Sequence, residues 1–191
     1  MRRRNSTFKS TANLQRGIHL PDKTGRRITY RYVQPDDDID AITAMLHEAY
    51  APLAQQGLRF VATHQGTETT RRRMNRGETI LALDVDEIVG TITLKDVDQT
   101  EGSAFYNRPD VAGFGQFAVR PSHQGAGVGS TLLALIERRA QEKGVALLAL
   151  DTSENAAHLI ALYESRGYAF VEHVRWPDVN YRSMIFAKPL R

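Results

Sequence analysis

The chain has 191 residues, a size that favours one self-sufficient domain. Apolar residues make up 41% and charged residues 25%, which excludes wholesale disorder, and no apolar run reaches the roughly 18 residues of a membrane-spanning helix. Because there is no cysteine, disulfides, thiolate metal sites and cysteine nucleophiles are excluded, and a cytoplasmic location is favoured. The absence of a long apolar run leads us to expect no membrane partner.

The formal net charge of +3 is concentrated at the N-terminus. Residues 1–27 hold eight Lys and Arg against one Asp, whereas the remaining chain holds 17 basic and 21 acidic residues. Few large apolar residues precede Ile28, so we expect residues 1–27 to be a mobile basic tail and residues 28–191 to form the single domain. A transit peptide and a polyanion-binding arm are alternatives for the tail, but the charge distribution argues against nucleic acid as a partner.

Apolar residues recur in turn at strand spacing and at helical spacing from residue 28 onward. Residues 96–113 show no periodicity and exceed the usual length of a loop, which indicates a functional or mobile segment. We predict, in chain order, a strand at 28–33, a helix at 39–56, a short helix within 58–78, a hairpin of strands at 79–83 and 88–94, a strand at 114–119, a helix from about 131 to 143, a strand at 146–150, a helix at 156–165, and strands at 168–174 and 183–187. This order predicts an α/β fold, with a central mixed sheet of parallel and antiparallel strands flanked by helices.

A glycine-rich turn, Gln124-Gly125-Ala126-Gly127-Val128-Gly129-Ser130, links the strand that ends at Val119 to the next helix. Such a turn presents unpaired N–H groups at the positive end of a helix dipole, which is a cradle for an anion. Glycine permits unusual backbone angles there and lets phosphate oxygens approach the amides. The letters do not fit a P-loop, which ends in Gly-Lys-Ser/Thr, or the dinucleotide fingerprint, whose last glycine would fall at Ser130.

Two segments resemble the GNAT acetyltransferase superfamily. The spacing Gln124-x-x-Gly127-x-Gly129 is similar to that superfamily's coenzyme A pyrophosphate loop, and its second conserved region is matched by Asp151-Thr152, Asn155, residues 159–164 and Gly167-Tyr168. The resemblance covers roughly residues 28–190 in element order. It implies the acyl-CoA N-acyltransferase fold and an acyltransferase that uses acetyl-CoA as donor, and no histidine or carboxylate spacing indicates a metal.

The resemblance also implies roles for the residues that match the motifs. The strand end would pair with the pantetheine arm of the donor, the turn would hold the pyrophosphate, and an asparagine would hydrogen-bond the arm. The cofactor-binding residues implied are Phe117, Ala118, Val119, Gln124, Gly125, Ala126, Gly127, Val128, Gly129, Ser130 and Asn155. An N-cap of the helix that begins at Ala156 is an equally natural role for Asn155.

Tyr163 is the general acid that the resemblance implies. A phenol with an ordinary pKa of about 10 is still protonated at neutral pH, so it can donate its proton as negative charge develops on the sulfur of coenzyme A. The alternative is a structural tyrosine on the apolar face of a helix.

The group that takes the proton of the amine is less well determined. Presenting the free form of an alkyl ammonium of pKa about 10.4 costs about 4.6 kcal/mol at pH 7. Members of the superfamily often use a glutamate on or near the strand before the pyrophosphate loop, but residues 112–119 hold no carboxylate or histidine. We therefore name Glu101 first, followed by Tyr106, Asp110 and His64, each of which is also explained as a solvated loop residue.

The sequence thus predicts a single-domain N-acetyltransferase that moves an acetyl group from acetyl-CoA to a primary amine, on a small molecule or a protein, by direct attack in a ternary complex. A catalytically inactive coenzyme A-binding module and a domain that acts on nucleic-acid-bound substrates are the alternatives. Residues 58–77, 96–113 and 175–182 would line the acceptor pocket, and their aromatic residues and mixed charge leave the acceptor open. A homodimer is a further expectation.

Overall fold

The computed structural model describes residues 10–96 and 103–190. The strands are β1 Ile18–Pro21, β2 Arg27–Tyr32, β3 Gly77–Asp84, β4 Glu87–Lys95, β5 Val111–Val119, β6 Leu147–Ser153, β7 Ala169–Val174 and β8 Ser183–Pro189. The helices are α1 Ile39–Gln55, α2 Thr67–Met74, α3 Val128–Glu142 and α4 Ala157–Ser165. The predicted α/β class, a mixed sheet flanked by helices, is confirmed.

The helix boundaries follow local sequence signals. Asp38 caps α1, because its Oδ1 accepts hydrogen bonds from the N–H groups of Asp40 and Ala41 at 2.9 and 3.1 Å. Lys143 and Gly144 close α3, and Gly144 has a left-handed φ of +76°. None of the helices in the described part of the chain is long and apolar enough to cross a membrane.

The described strands form one sheet in the order β1-β2-β3-β4-β5-β6-β8-β7. All neighbours are antiparallel except β5 and β6, which pair in parallel only from Val111 opposite Leu147 to Gly113 opposite Ala149. Beyond Gly113, β5 continues against β4 and β6 continues against β8. The two central strands therefore separate, and along the second half of β5 their facing edges have no partner among the described strands.

A β-bulge shapes β5 where it separates from β6. Thr91 and Thr93 on β4 lie opposite Ala118 and Gly115, so β5 contains one extra residue in this interval. Gln116, within the bulge, has a left-handed φ of +47°, which is uncommon for a residue with a side chain. The bulge changes the direction of the side chains at the central gap of the sheet.

Helices cover both faces of the sheet. Ile80 on β3 belongs to the cluster that includes Leu132 and Ile136 of α3, whereas the next residue, Leu81, packs in the cluster of α1. This alternation is the two-residue period of a strand buried on both faces. It holds α3, whose N-terminus follows the glycine-rich turn, firmly against the sheet.

The structure of residues 10–27 differs from the mobile tail that the sequence predicts. We expected them to be mobile, but β1 pairs with β2 from Ile18 opposite Tyr30 to Pro21 opposite Arg27, and Leu14 is fully buried. The sequence pattern missed this because so few apolar residues lie in the segment, and their burial depends on contacts with distant parts of the chain. Residues 1–9 lie outside the described residues, so the tail prediction for them stays a prediction.

Candidate active site

The turn between β5 and α3 has free backbone donors. Gly125 and Gly127 have left-handed φ values of +75° and +98°, which explains the need for glycine at both positions. Within the described residues, the N–H groups of residues 125–130 donate no hydrogen bond to another protein group, and the first bond of this region runs from Thr131 N–H to the Gly127 carbonyl at 3.0 Å. Free amides at a helix N-terminus form the anion cradle that the sequence predicts.

A groove of about 500 Å³ begins at this turn and follows the end of β5 toward Tyr163. Its opposite wall is formed by α1 and α4. Of the residues predicted to bind the donor, those that line the groove are Phe117, Ala118, Val119, Gln124, Gly125, Gly127, Gly129 and Ser130. Ala126 and Val128 are buried within the turn, so they offer only their backbone groups.

Asn155 lies outside the lining of the groove. It is exposed just before α4, and its own N–H donates to Ser153 Oγ at 3.1 Å. The N-cap residue of α4 is Ala156, and no side chain caps this helix, so the alternative role of Asn155 as the N-cap is wrong. Its hydrogen bond to the donor stays a prediction.

Two side chains brace the strand end of the groove. The Tyr50 hydroxyl donates to the Phe117 carbonyl at 3.1 Å, and Gln124 Nε2 donates to the Val119 carbonyl at 2.9 Å. Gln124 therefore ties the glycine-rich turn back to the strand that precedes it. This contact gives the glutamine of the motif a structural task besides any contact with a ligand.

A second cavity, of about 300 Å³, lies in the gap between β5 and β6. It shares Tyr50, Phe117, Leu159 and Tyr163 with the groove, so the two spaces meet at these side chains. An elongated ligand in the groove and a small ligand in the cavity would come together beside Tyr163.

Tyr163 lies at the meeting point of the two spaces with its hydroxyl free. It is 7% exposed, its ring packs edge-on against Phe114 with centroids 6.3 Å apart, and its hydroxyl has no hydrogen-bond partner among the described residues. Burial raises the pKa of Tyr163 well above its ordinary value, and the nearby Tyr50 and Asp151 add to the rise. The phenol thus holds its proton through the neutral pH range.

Of the three predicted proton acceptors that the structure describes, one lies in the second cavity. Tyr106 lines it, but burial raises the pKa of this phenol well above the ordinary value, which makes it a poor base. Asp110 forms an exposed ion pair with Arg108 at 2.7 Å, and His64 lies outside the cavity against Thr63. Glu101 lies outside the described residues.

Asp151 is a site residue whose role the sequence reasoning missed. It follows the apolar run of β6 at the central gap, lines the second cavity and accepts a hydrogen bond from Trp176 Nε1 at 3.0 Å. The sequence does carry a signal for it, which is a carboxylate directly after the apolar run of a central strand. Among the described residues no three His, Asp or Glu side chains come together as a metal-ligand group.

The second cavity is rich in basic side chains. Lys95, at the end of β4, and Arg73, on α2, both line it. Burial lowers the pKa of both groups, and their mutual repulsion lowers that of Lys95 further, whereas Asp151 acts in the opposite direction. We expected residues 58–77, which include Arg73, to line the acceptor pocket, but nothing in the sequence groups Lys95 with it.

The fold and the site can be compared with known proteins. Residues 40–168 match the model of the acetyltransferase (GNAT) family. The chain is 26% identical over 133 residues to S-(2-succino)cysteine N-acetyltransferase of Bacillus subtilis (strain 168), covering 69% of this chain and 78% of that protein.

Two solved structures show the same fold. The ribosomal-protein-S18-alanine N-acetyltransferase of Escherichia coli has a TM-score of 0.64 at 21% identity, covering 85% of this chain and 94% of that one. A GNAT family acetyltransferase from Elizabethkingia anophelis with acetyl-CoA bound has a TM-score of 0.58 at 17% identity, covering 85% and 98%. The chain belongs to the acetyltransferase (GNAT) family.

Proposed function

We propose that the protein is an N-acetyltransferase that moves the acetyl group of acetyl-CoA to a primary amine. The observation that carries the proposal is the row of free N–H groups at residues 125–130, at one end of a groove whose other end is Tyr163. An acyl carrier with an anionic diphosphate and a long, peptide-like arm fits this arrangement, because the cradle suits the first part and a strand edge suits the second. Membership in the family and the acetyl-CoA bound in a neighbouring structure support the same donor.

The donor would lie along the groove in one direction. Its pyrophosphate would accept hydrogen bonds from the amides of residues 125–130, and its pantetheine arm would follow residues 117–119. Asn155 would bond the same arm from the start of α4. The thioester would then lie beside Tyr163, where the second cavity opens.

The reaction needs two proton movements. The nitrogen of the amine attacks the thioester carbonyl carbon, the new C–N bond forms, and the C–S bond breaks. Tyr163 gives its phenolic proton to the departing thiolate and regains one from solvent. The proton lost by the amine goes to Asp151, directly or through water, because this carboxylate lines the cavity that Tyr163 borders. Glu101 stays the other candidate for this step.

The acceptor site favours a small molecule. The second cavity, about 300 Å³, lies within the gap of the sheet and is walled by side chains of several elements. The Bacillus subtilis relative is named for a cysteine derivative, which is also a small amine. A protein N-terminus, as in the Escherichia coli structure named above, is the second acceptor class to test.

A thiol-release screen tests the function. The purified protein is mixed with acetyl-CoA and single amines from a panel of amino acids, polyamines, aminoglycosides and peptides with free N-termini. We expect free coenzyme A thiol to appear only when a suitable amine is present, together with the acetylated product in the mass spectrum. Tight binding of coenzyme A without amine-dependent thiol release would instead indicate a catalytically inactive binding module.

A further inference from the structure

Two basic side chains converge on one point above β5. A Cβ atom on Gly115 would lie 3.8 Å from Lys95 Nζ and 3.9 Å from Arg73 Nη2. The two cations come from different elements, β4 and α2, and glycine at position 115 leaves room for Lys95, whose Cε would lie 3.3 Å from an added Cβ atom. This space is part of the second cavity.

Neither cation has an acidic partner. Within residues 10–96 and 103–190, Arg73 and Lys95 form no ion pair, and Lys95 Nζ lies 6.0 Å from the centroid of the Tyr106 ring. Two carboxylates line the cavity, Asp151 and Asp178; Asp151 already accepts the Trp176 N–H, and neither forms an ion pair with Arg73 or Lys95. Burying two like charges costs free energy, which the charge of Asp151 offsets only in part, and an anion in direct contact with both cations offsets more of it.

A buried polar chain fixes the position of Arg73. Its Nη1 donates to Gln65 Oε1, and Gln65 Nε2 donates to Gln116 Oε1 at 2.9 Å. Gln65 and Gln116 are each 3% exposed, and Gln116 lies in the bulge of β5 with its left-handed backbone. The guanidinium is therefore held in place before any ligand arrives, which is how a binding site avoids the entropy cost of ordering a long side chain.

The geometry points to an acceptor that carries a carboxylate, bound by Lys95 and Arg73 above Gly115, while its amine faces Tyr163. The substrate class is then amino acids, meaning small molecules that carry a primary amine and one or more carboxylates, rather than polyamines, aminoglycosides or neutral amines. This inference rests on the proposed function. It adds a charge requirement that the family alone does not impose, because cationic acceptors would be repelled by the same two groups.

Matched acceptors test the charge requirement. Each amino acid is compared with its amide, which keeps the amine and the shape but removes the carboxylate charge. The amide has the less basic amine, so chemistry alone would favour it. We expect kcat/KM to be higher for the acid by roughly tenfold or more, since a charge-assisted hydrogen bond is lost with the amide. Equal or greater activity with the amides would overturn the inference and leave the acetyltransferase intact.

Variants of the two cations give the second arm of the test. Lys95→Met and Arg73→Met should each raise KM for acidic acceptors by roughly tenfold or more and remove the preference for the acid, with the KM for acetyl-CoA unchanged. Lys95→Arg should restore part of the preference because it restores the charge. Arg71→Gln, on the same helix but paired with Glu68 on the surface, is the matched control and should behave as the wild type. Retention of the preference in both Met variants would contradict the inference.

Calorimetry separates this inference from the proposed function. Binding of an acidic amino acid and of its amide is measured with coenzyme A present, so no turnover is needed. Preferential binding of the acid that is lost in Lys95→Met supports the anion site even if no amine releases thiol, in which case the proposed function alone fails. Equal binding of acid and amide refutes the anion site.

Discussion

Lys23 lies directly against Gly127. A Cβ atom on Gly127 would be 3.4 Å from Lys23 Cγ, and the Lys23 N–H donates to the Ala126 carbonyl at 2.8 Å. A segment that the sequence placed in a mobile tail therefore packs on the glycine-rich turn. It adds a side-chain cation beside the backbone amides of the cradle, where Arg166 of α4 also lies, with its Nη2 donating to Ser130 Oγ at 2.5 Å.

Removal of this cation should weaken donor binding. Lys23→Ala is expected to raise the dissociation constant of coenzyme A by roughly threefold to tenfold, because an exposed charge–phosphate contact is partly screened by water. The difference in coenzyme A affinity between the wild type and Lys23→Ala should become smaller as salt is added. Arg27→Ala removes the same charge from the same hairpin away from the turn and should leave binding unchanged. Calorimetry at two salt concentrations measures both, and equal effects of the two variants would contradict the contact.

Substitution of the central glycine should have a larger effect. Gly127→Asp adds a side chain at a left-handed φ of +98° and places negative charge where the diphosphate would bind, so we expect a loss of coenzyme A affinity of roughly 100-fold or more. Gly144→Asp is the matched control, since Gly144 also has a left-handed φ, +76°, but lies at the opposite end of α3. It should lose stability and keep its affinity. Affinity in Gly127→Asp close to that of the wild type would place the donor elsewhere.

The hydroxyl of Tyr163 should matter for chemistry rather than for binding. Tyr163→Phe is expected to lower kcat by roughly 100-fold or more with a small change in the KM for acetyl-CoA, as expected for a lost general acid. Tyr168→Phe is the control, because the Tyr168 hydroxyl donates to Glu137 at 3.0 Å and lines neither space. A kcat in Tyr163→Phe as high as that of Tyr168→Phe would remove Tyr163 from the mechanism.

Glu78 should make stability depend on acid pH. Burial alone would raise the pKa of Glu78, but hydrogen bonds from Arg139 and Lys143 outweigh it and lower the pKa to about 2. A carboxyl whose pKa is lower in the folded state stabilises the protein at pH values above its unfolded pKa. For Glu78, this stabilisation is lost as the pH falls from about 4.5 to about 2. Since the groups are partly exposed, we expect Glu78→Gln to cost about 1 to 2 kcal/mol at pH 7.

Urea unfolding between pH 7 and pH 2 measures this contribution. The difference in unfolding free energy between the wild type and Glu78→Gln should stay constant down to about pH 5 and then shrink as the wild-type carboxyl takes up its proton. Glu68→Gln, whose carboxylate is exposed and 3.7 Å from Arg71, should change stability little at any pH. If the difference in unfolding free energy between the wild type and Glu78→Gln is independent of pH, the ionised Glu78 carboxylate does not supply this stability.

The sequence predicted those parts of the molecule whose signals are local. The strand, the glycine-rich turn and the helix after it follow one another in the chain, so residues 114–143 could be assigned from periodicity and from the conformational needs of glycine. The same segment carries most of the predicted donor site. The bulge at Gln116 has no such signal, because it arises from pairing with β4.

The acceptor cavity could not be predicted in the same way. Among its charged residues, Arg73, Lys95 and Asp151 belong to three elements that are far apart in the sequence, and the sheet order and the separation of β5 from β6 bring them together. The packing of residues 10–27 was missed for the same reason. Proximity that depends on tertiary structure leaves little trace in local patterning.

We propose that the amides of residues 125–130 bind the diphosphate of the donor. An NMR titration of the ¹⁵N-labelled protein with coenzyme A tests it most directly, because it observes these amides one by one. We expect the largest changes in amide chemical shift at Gly125, Gly127 and Gly129 and none at Gly144, at the far end of α3. Saturating coenzyme A that leaves the amides of the turn unchanged would contradict it.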